Sequence, residues 1–194
     1  MTAMSASTAE PLEPAALISK TWQVLEAIPD PEIPVVSIRE LGILRDVQVN
    51  GLGQVVVVIT PTYSGCPAIG QIEDDVRAAL VLAQIDAVVT TQLFPAWTTD
   101  WLTPTAHTKL RQFGIAPPAH LVKTDEKVIF FTTKKVANST INTPKSSTFI
   151  QDEVPCPRCG SANTTETSHF ASTACKALYK CLDCLEPFDY FKPF

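Results

Sequence analysis

Two Cys-x-x-Cys pairs, Cys156-Pro-Arg-Cys159-Gly and Cys181-Leu-Asp-Cys184, stand with 21 residues between Cys159 and Cys181. Thiolates separated by two residues grip one metal ion from a tight turn, Gly160 eases the backbone, and the second pair completes a tetrahedron. The spacing predicts a structural Zn2+ held by Cys156, Cys159, Cys181 and Cys184. A segment of roughly 40 residues with few large apolar side chains needs such a staple to fold. Iron in a rubredoxin-like site is the rival occupant, because Cys-Pro-x-Cys-Gly suits it as well, and it would make the chain an electron carrier. Cys175, between the pairs, is either a small buried side chain in a ribbon strand or a transient metal or persulfide ligand. His169 is expected to face solvent, since four thiolates already close the shell.

The sixth cysteine, Cys66, sits in Thr60-Pro-Thr-Tyr-Ser-Gly-Cys-Pro67, immediately before an expected helix start at Pro67. At that N-cap position unpaired amides and the helix dipole stabilise a thiolate, which attacks electrophiles or binds soft metals such as iron. The plain alternative is a cysteine that caps the helix and packs inward. Asp30 and Glu32, in Asp30-Pro-Glu-Ile-Pro34, are either further oxygen ligands or solvated charges in a Pro-fixed turn. Trp97 and Trp101, in Pro95-Ala-Trp-Thr-Thr-Asp-Trp101, read as core or interface packing. Each loop follows an expected helix or strand, and loops at strand ends can converge on one rim.

The elements that must position these residues follow from periodicity. Leu17, Ile18, Trp22, Leu25 and Ile28 recur at helical spacing after Pro14, and Pro29 and Pro31 end that helix. Val47 and Val49 alternate with polar residues, Asn50-Gly51 makes a turn, and Val55–Thr60 is a β-branched run, so a hairpin with a well-buried second strand is expected. Ile69, Ile72, Val76, Leu80 and Ala83 share one face of a second helix. Ala87–Leu93 reads as a third strand, and Thr105–Phe113 as a third helix stopped by Gly114. This order predicts an α/β (α+β) fold, a small sandwich with a short mixed sheet, followed by a small C-terminal zinc ribbon. Val128–Thr133 can add an edge strand, blunted by Lys134 and Lys135.

The expected division is a disordered tail over 1–14, a domain over 15–120, a linker with the edge strand over 121–151, and the ribbon over 152–194. Of the 194 residues 45% are apolar, enough for a real core. The net charge of −5 and pI of about 5.2 argue against a nucleic-acid partner. The longest strongly apolar run, Val55–Ile59, is too short to span a bilayer. The start MTAMSASTAEPLEP lacks the pattern of a secretory signal. Cysteines used as metal ligands fit a cytoplasmic protein.

DPEIP, TPTYSGCP and PAWTTDW together resemble the iron–sulfur assembly domain of SufT-like proteins and cytosolic Fe–S targeting factors. With GIAPP, CPRCGS, STACKALYKC and CLEPFDYFK added, the chain is similar over residues 20–118 and 154–192 to PaaD-type proteins, accessory to the bacterial phenylacetyl-CoA 1,2-epoxidase of aerobic phenylacetate degradation. The resemblance implies a non-catalytic factor that helps assemble or repair an Fe–S cluster, with the epoxidase's reductase subunit as client. It puts Fe or Fe–S handling on Cys66, with the family's acidic residues on Asp30 and Glu32. The segment from 119 to 151 is longer than the family leads one to expect, and both sheet extension and homodimer formation are open to it. A thiol enzyme built on Cys66 lacks a base, since His107, His120 and His169 lie in no Cys–His motif.

Overall fold

The computed structural model describes residues 13–118 and 154–194. Residues 1–12 of the tail expected over 1–14, the edge strand Val128–Thr133, His120 and the polar linker lie outside the described residues, while Glu13 and Pro14 are the cap and first residue of a helix and not tail. Helix α1 spans Pro14–Leu25 with Pro14 in its first turn, where a missing N–H costs nothing. It buries Thr21 and Leu25 and packs Leu17, Ile18 and Trp22 against the core. The helix stops at Leu25 rather than at Pro29. Ile28 is buried all the same, from the turn that follows, because its N–H donates to the Leu25 carbonyl.

Strands β1 (Leu44–Val49) and β2 (Val55–Ile59) form the expected antiparallel hairpin, and β3 (Ala87–Thr91) pairs parallel to β2. The result is a mixed sheet in the order β1-β2-β3. Val55, Val57 and Ile59 are fully buried in the central strand, where each contributes about 1.5–3 kcal/mol. In the hairpin loop the positive φ falls on Gly53, while Asn50 Oδ1 accepts the N–H groups of Leu52 and Gln54. β3 ends at Thr91, two residues before the expected Leu93.

Helix α2 spans Ile69–Leu82 and buries Ile72, Val76 and Leu80, the predicted stripe. Its N-cap is Ala68, so it starts two residues after Pro67. Helix α3 (Pro104–Phe113) is capped by Thr103, whose hydroxyl accepts the Ala106 N–H, and ends on Gly114 at φ 95°. Helix α1 packs on α2 and β1, and α2 on β3.

The second sheet crosses the expected domain boundary. Strand β4 (Ile115–Ala116) runs parallel to β7 (Pro187–Phe191), which pairs antiparallel with β6 (Lys176–Cys181), and β6 with β5 (Thr164–Ser168). The order is β4-β7-β6-β5. The ribbon is therefore not freestanding. Its Cys175 and Phe191 are buried in the same hydrophobic core as Leu25, Val57 and Leu110. Ala116, in turn, is buried with Val154, Cys156 and Cys181. No helix among the described residues is long and apolar enough to cross a membrane.

Candidate metal sites

The four cysteines of the paired motifs come together as their spacing predicts. Their sulfurs all lie within 4.8 Å of one another, the only such group of potential metal ligands among the described residues. Cys156 Sγ is 3.7 Å from Cys184 Sγ, and Cys159 Sγ is 3.6 Å from Cys181 Sγ. A tetrahedral ion with metal–sulfur bonds of about 2.3 Å sets sulfur–sulfur edges of about 3.8 Å, so the donor set fits a metal of that class.

The turns that hold the sulfurs are built locally. Gly160 takes φ 77°, and its N–H donates to the Cys156 carbonyl. Asp183 ties the two turns together by accepting from the Ser161 hydroxyl and the Asn163 amide. The Cys184 N–H, with help from Asp183, lowers the Cys181 thiol to about 7. The Glu186 backbone lowers Cys184, but burial and the three neighbouring sulfurs outweigh it and push that thiol up to about 12. Four thiols this close cannot all ionise unaided, whereas a dication stabilises every thiolate at once. Cys156 and Cys181 are buried while Cys159 and Cys184 are exposed, so one edge of the cluster faces solvent.

The second site surrounds Cys66. Because α2 begins after Ala68, Cys66 is not its N-cap. The cysteine lies in the preceding turn, where its N–H donates to the Tyr63 carbonyl and its carbonyl accepts from Ile69. The expected stabilised thiolate is not found. Burial pushes the thiol up, and Glu32 and Asp30 push it the same way, against the Ala68 amide and the Thr62 hydroxyl. The amide effect of a helix start is thus present but is outweighed by desolvation and by two carboxylates.

Asp30 and Glu32 lie within electrostatic reach of Cys66. Asp30 is buried, and its Oδ1 accepts the N–H groups of Glu32 (2.9 Å) and Ile33 (2.8 Å). Burial raises both carboxyls, and proximity to Asp30 raises Glu32 further; Lys176 opposes the rise at each. The third loop goes elsewhere. Trp97 is buried against Phe191 and Phe194 at ring separations of 5.9 and 6.1 Å, and Arg45 lies over Trp101. Both tryptophans are packing residues.

Sequence reasoning missed what the ribbon contributes to this site. Cys175 is buried, its thiol is raised by desolvation, and Glu32, Lys176 and Cys66 lie within electrostatic reach of it. Thr173 Oγ1 lies 3.1 Å from Cys175 Sγ, and the same hydroxyl reaches Glu32. Burial raises the Tyr63 phenol, Cys66, Cys175 and Glu32 act on it electrostatically in the same direction, and the Ala174 backbone opposes them with a hydrogen bond. The string STACK carried the residue types but no hint of what they would meet. His169 is exposed and pairs with Glu166 at 3.2 Å, as expected of a solvent-facing residue.

Residues 141–192 match the PaaD zinc beta ribbon domain family, and residues 19–91 match the iron–sulfur cluster assembly protein family. Over 176 residues the chain is 44% identical to a protein of Escherichia coli (strain K12) assigned to the 1,2-phenylacetyl-CoA epoxidase as one of its subunits. That alignment covers 90% of this chain and 92% of the relative. The chain belongs to the PaaD family. The PaaD-family chain is also 34% identical over 86 residues to the Fe-S protein maturation auxiliary factor YitW of Bacillus subtilis (strain 168), covering 44% of this chain and 81% of YitW. Among solved structures, a domain of unknown function from Bacillus anthracis is 31% identical, with a TM-score of 0.46 over 50% of this chain and 93% of that one. A Mycobacterium tuberculosis protein associated with Fe–S complex assembly and repair is 28% identical, with a TM-score of 0.30 over 57% and 94%.

Proposed function

We propose that this protein is a non-catalytic maturation factor for the multicomponent 1,2-phenylacetyl-CoA epoxidase, working in the cytoplasm. It handles iron or an Fe–S cluster as cargo at Cys66 and serves the epoxidase's Fe–S reductase subunit. The ribbon cysteines hold a structural zinc. The observation that carries this reading is the Cys66 thiol faced by the Asp30 and Glu32 carboxylates, in a chain aligned along nine-tenths of its length with an epoxidase subunit.

Thiolate and carboxylate together suit ferrous iron, and a thiol kept protonated by burial gives up its proton when a dication arrives. The ribbon, by contrast, offers four thiolates in a closed shell, which suits a permanent structural ion. The test is Cys66→Ala in cells that produce the whole epoxidase system. The variant should fold and keep its zinc, while the reductase subunit loses Fe–S content and epoxidase activity falls. Normal cluster content and normal activity would overturn the role.

A further inference from the structure

Among the described residues the two sheets have four edges, formed by β1, β3, β4 and β5. Three of them carry a device that discourages pairing with a further strand. β1 has Arg45, Asp46 and a bulge between Leu44 and Asp46. β4 is only two residues long, and β5 has Glu166 and a bulge before Ser168. β3 has none of these. From Ala87 to Phe94 the chain reads Ala-Val-Val-Thr-Thr-Gln-Leu-Phe, without a charge or a proline.

The hydrogen-bond pattern fixes what this edge offers. The Val55 N–H donates to the Asp86 carbonyl, and the Gln92 N–H to the Ile59 carbonyl. Along a parallel ladder, alternate residues turn their backbone groups to the same neighbour. Asp86, Val88, Thr90 and Gln92 therefore face β2, while Ala87, Val89 and Thr91 turn N–H and carbonyl groups to the open side. A run of this parity centred on Val89 is complementary to its own copy, antiparallel about a two-fold axis. Val89 then meets Val89, and Ala87 meets Thr91, each as a hydrogen-bonded pair.

The flanks of the strand agree. The Thr91 hydroxyl donates to Glu73, and only a short turn joins α2 to β3, so the helix runs antiparallel to the strand. Glu73, Arg77 and Val81, one helical turn apart, line its open edge. Val81 is 74% exposed beside the start of β3, and Leu93 and Phe94 are 57% and 84% exposed after its end. Antiparallel pairing carries each copy's Leu93 and Phe94 toward the other's Val81, so the apolar surface at both ends is covered. Arg77 brings no bare charge to the axis, since Glu73 holds it at 2.7 Å.

We propose that β3 is the seam of a two-fold dimer of this chain, joining two three-stranded sheets into one with the order β1-β2-β3-β3-β2-β1. The dimer stands independently of the cargo role proposed for Cys66. Ala87 and Val89 pack on the helix side, so Val88, 44% exposed, lies on the opposite face, with its copy on the diagonal about 7–8 Å away.

The experiment is sedimentation equilibrium of the full-length protein together with amide hydrogen exchange read residue by residue, wild type beside Val88→Lys. Wild type should sediment as a dimer. Its Ala87, Val89 and Thr91 amides should exchange at least about ten-fold slower in the dimer than after dilution to monomer. Val88→Lys keeps the backbone but sets two like charges on the diagonal. It should be monomeric, with those three amides fast and those of Thr90 and Gln92 still slow. Val81→Lys, on the helix rather than the sheet, should weaken the dimer as well and covers the case that Val88→Lys folds poorly. A monomeric wild type overturns the proposal. So does a dimer whose Ala87, Val89 and Thr91 amides exchange as fast as in the diluted chain, which puts the contact on another surface. Protection of these amides that survives dilution would show that the chain covers its own edge, and overturns the proposal too.

Discussion

The indole N–H of Trp97 donates to the Leu41 carbonyl at 2.9 Å, fastening the loop after β3 to the turn between the Asp30 segment and β1. The same ring packs on Phe191 and Phe194, so one side chain holds three separate segments. Trp97→Ala should cost about 3–5 kcal/mol. Trp97→Phe keeps an aromatic ring but leaves the Leu41 carbonyl without its donor, and should cost about 1–3 kcal/mol. Urea midpoints of the two variants against wild type check the order.

The four-cysteine site should hold one zinc, giving a colourless protein. A red protein that bleaches on reduction would instead put iron there. Cys156→Ser should abolish stoichiometric zinc. Since Phe191 is 1% exposed within the core of the first sheet, loosening the ribbon should also destabilise that sheet, by about 3 kcal/mol if Phe191 leaves the core entirely. Zinc analysis alongside denaturation followed by tryptophan fluorescence reads both effects. An unchanged unfolding midpoint after complete zinc loss would mean that the two cores are energetically independent.

Gly42 has φ 72°, and a Cβ there would lie 2.6 Å from the Trp101 Cβ and 2.8 Å from its carbonyl oxygen. Gly42→Ala combines a left-handed backbone with a clash against main chain, and should cost about 2–4 kcal/mol. Gly51 has open space around its Cβ position, so Gly51→Ala should stay within about 0.5 kcal/mol of wild type. Thermal unfolding of the two variants side by side separates them.

Glu40 carries the clearest pH signature. Burial alone would raise its carboxyl, but Lys109, with Nζ 2.7 Å from Oε1, and the Ser37 N–H hold it below the ordinary range. A lowered folded-state value means that the pair stabilises the fold above the usual glutamate range and that this is lost as pH falls through the lowered value. The pair is partly exposed, so the effect should be at most about 1 kcal/mol. Stability curves from pH 7 to pH 3 should show Glu40→Gln losing that part of the acid dependence.

Sequence patterns read well wherever the physics was local. The stripe Ile72, Val76, Leu80 gave α2, the β-branched run gave β2, and the Cys-x-x-Cys spacing gave the four-sulfur cluster. They failed where distant chain segments decide. Ile115-Ala116 is too short to show strand periodicity and becomes β4 only because β7 lies alongside. Cys66 stands where helix amides should favour a thiolate, yet burial and the Asp30 turn, more than thirty residues upstream, reverse the balance. Cys175 reads as ribbon filler because its neighbours belong to another part of the chain.

The pairing of Ile115 with Asp189 and of Ala116 with Tyr190 has one more consequence. Ala116 and Val154 are buried in the same small cluster, so the stretch from 117 to 153 leaves from and returns to one place. How the ribbon meets the first sheet is set by strand pairing on either side of that stretch, not by the number of residues in it. Doubling the length of a loop between fixed ends costs only about 0.6 kcal/mol. Insertions or deletions between Ala116 and Val154 should therefore leave the β4–β7 pairing and the four ribbon sulfurs in place.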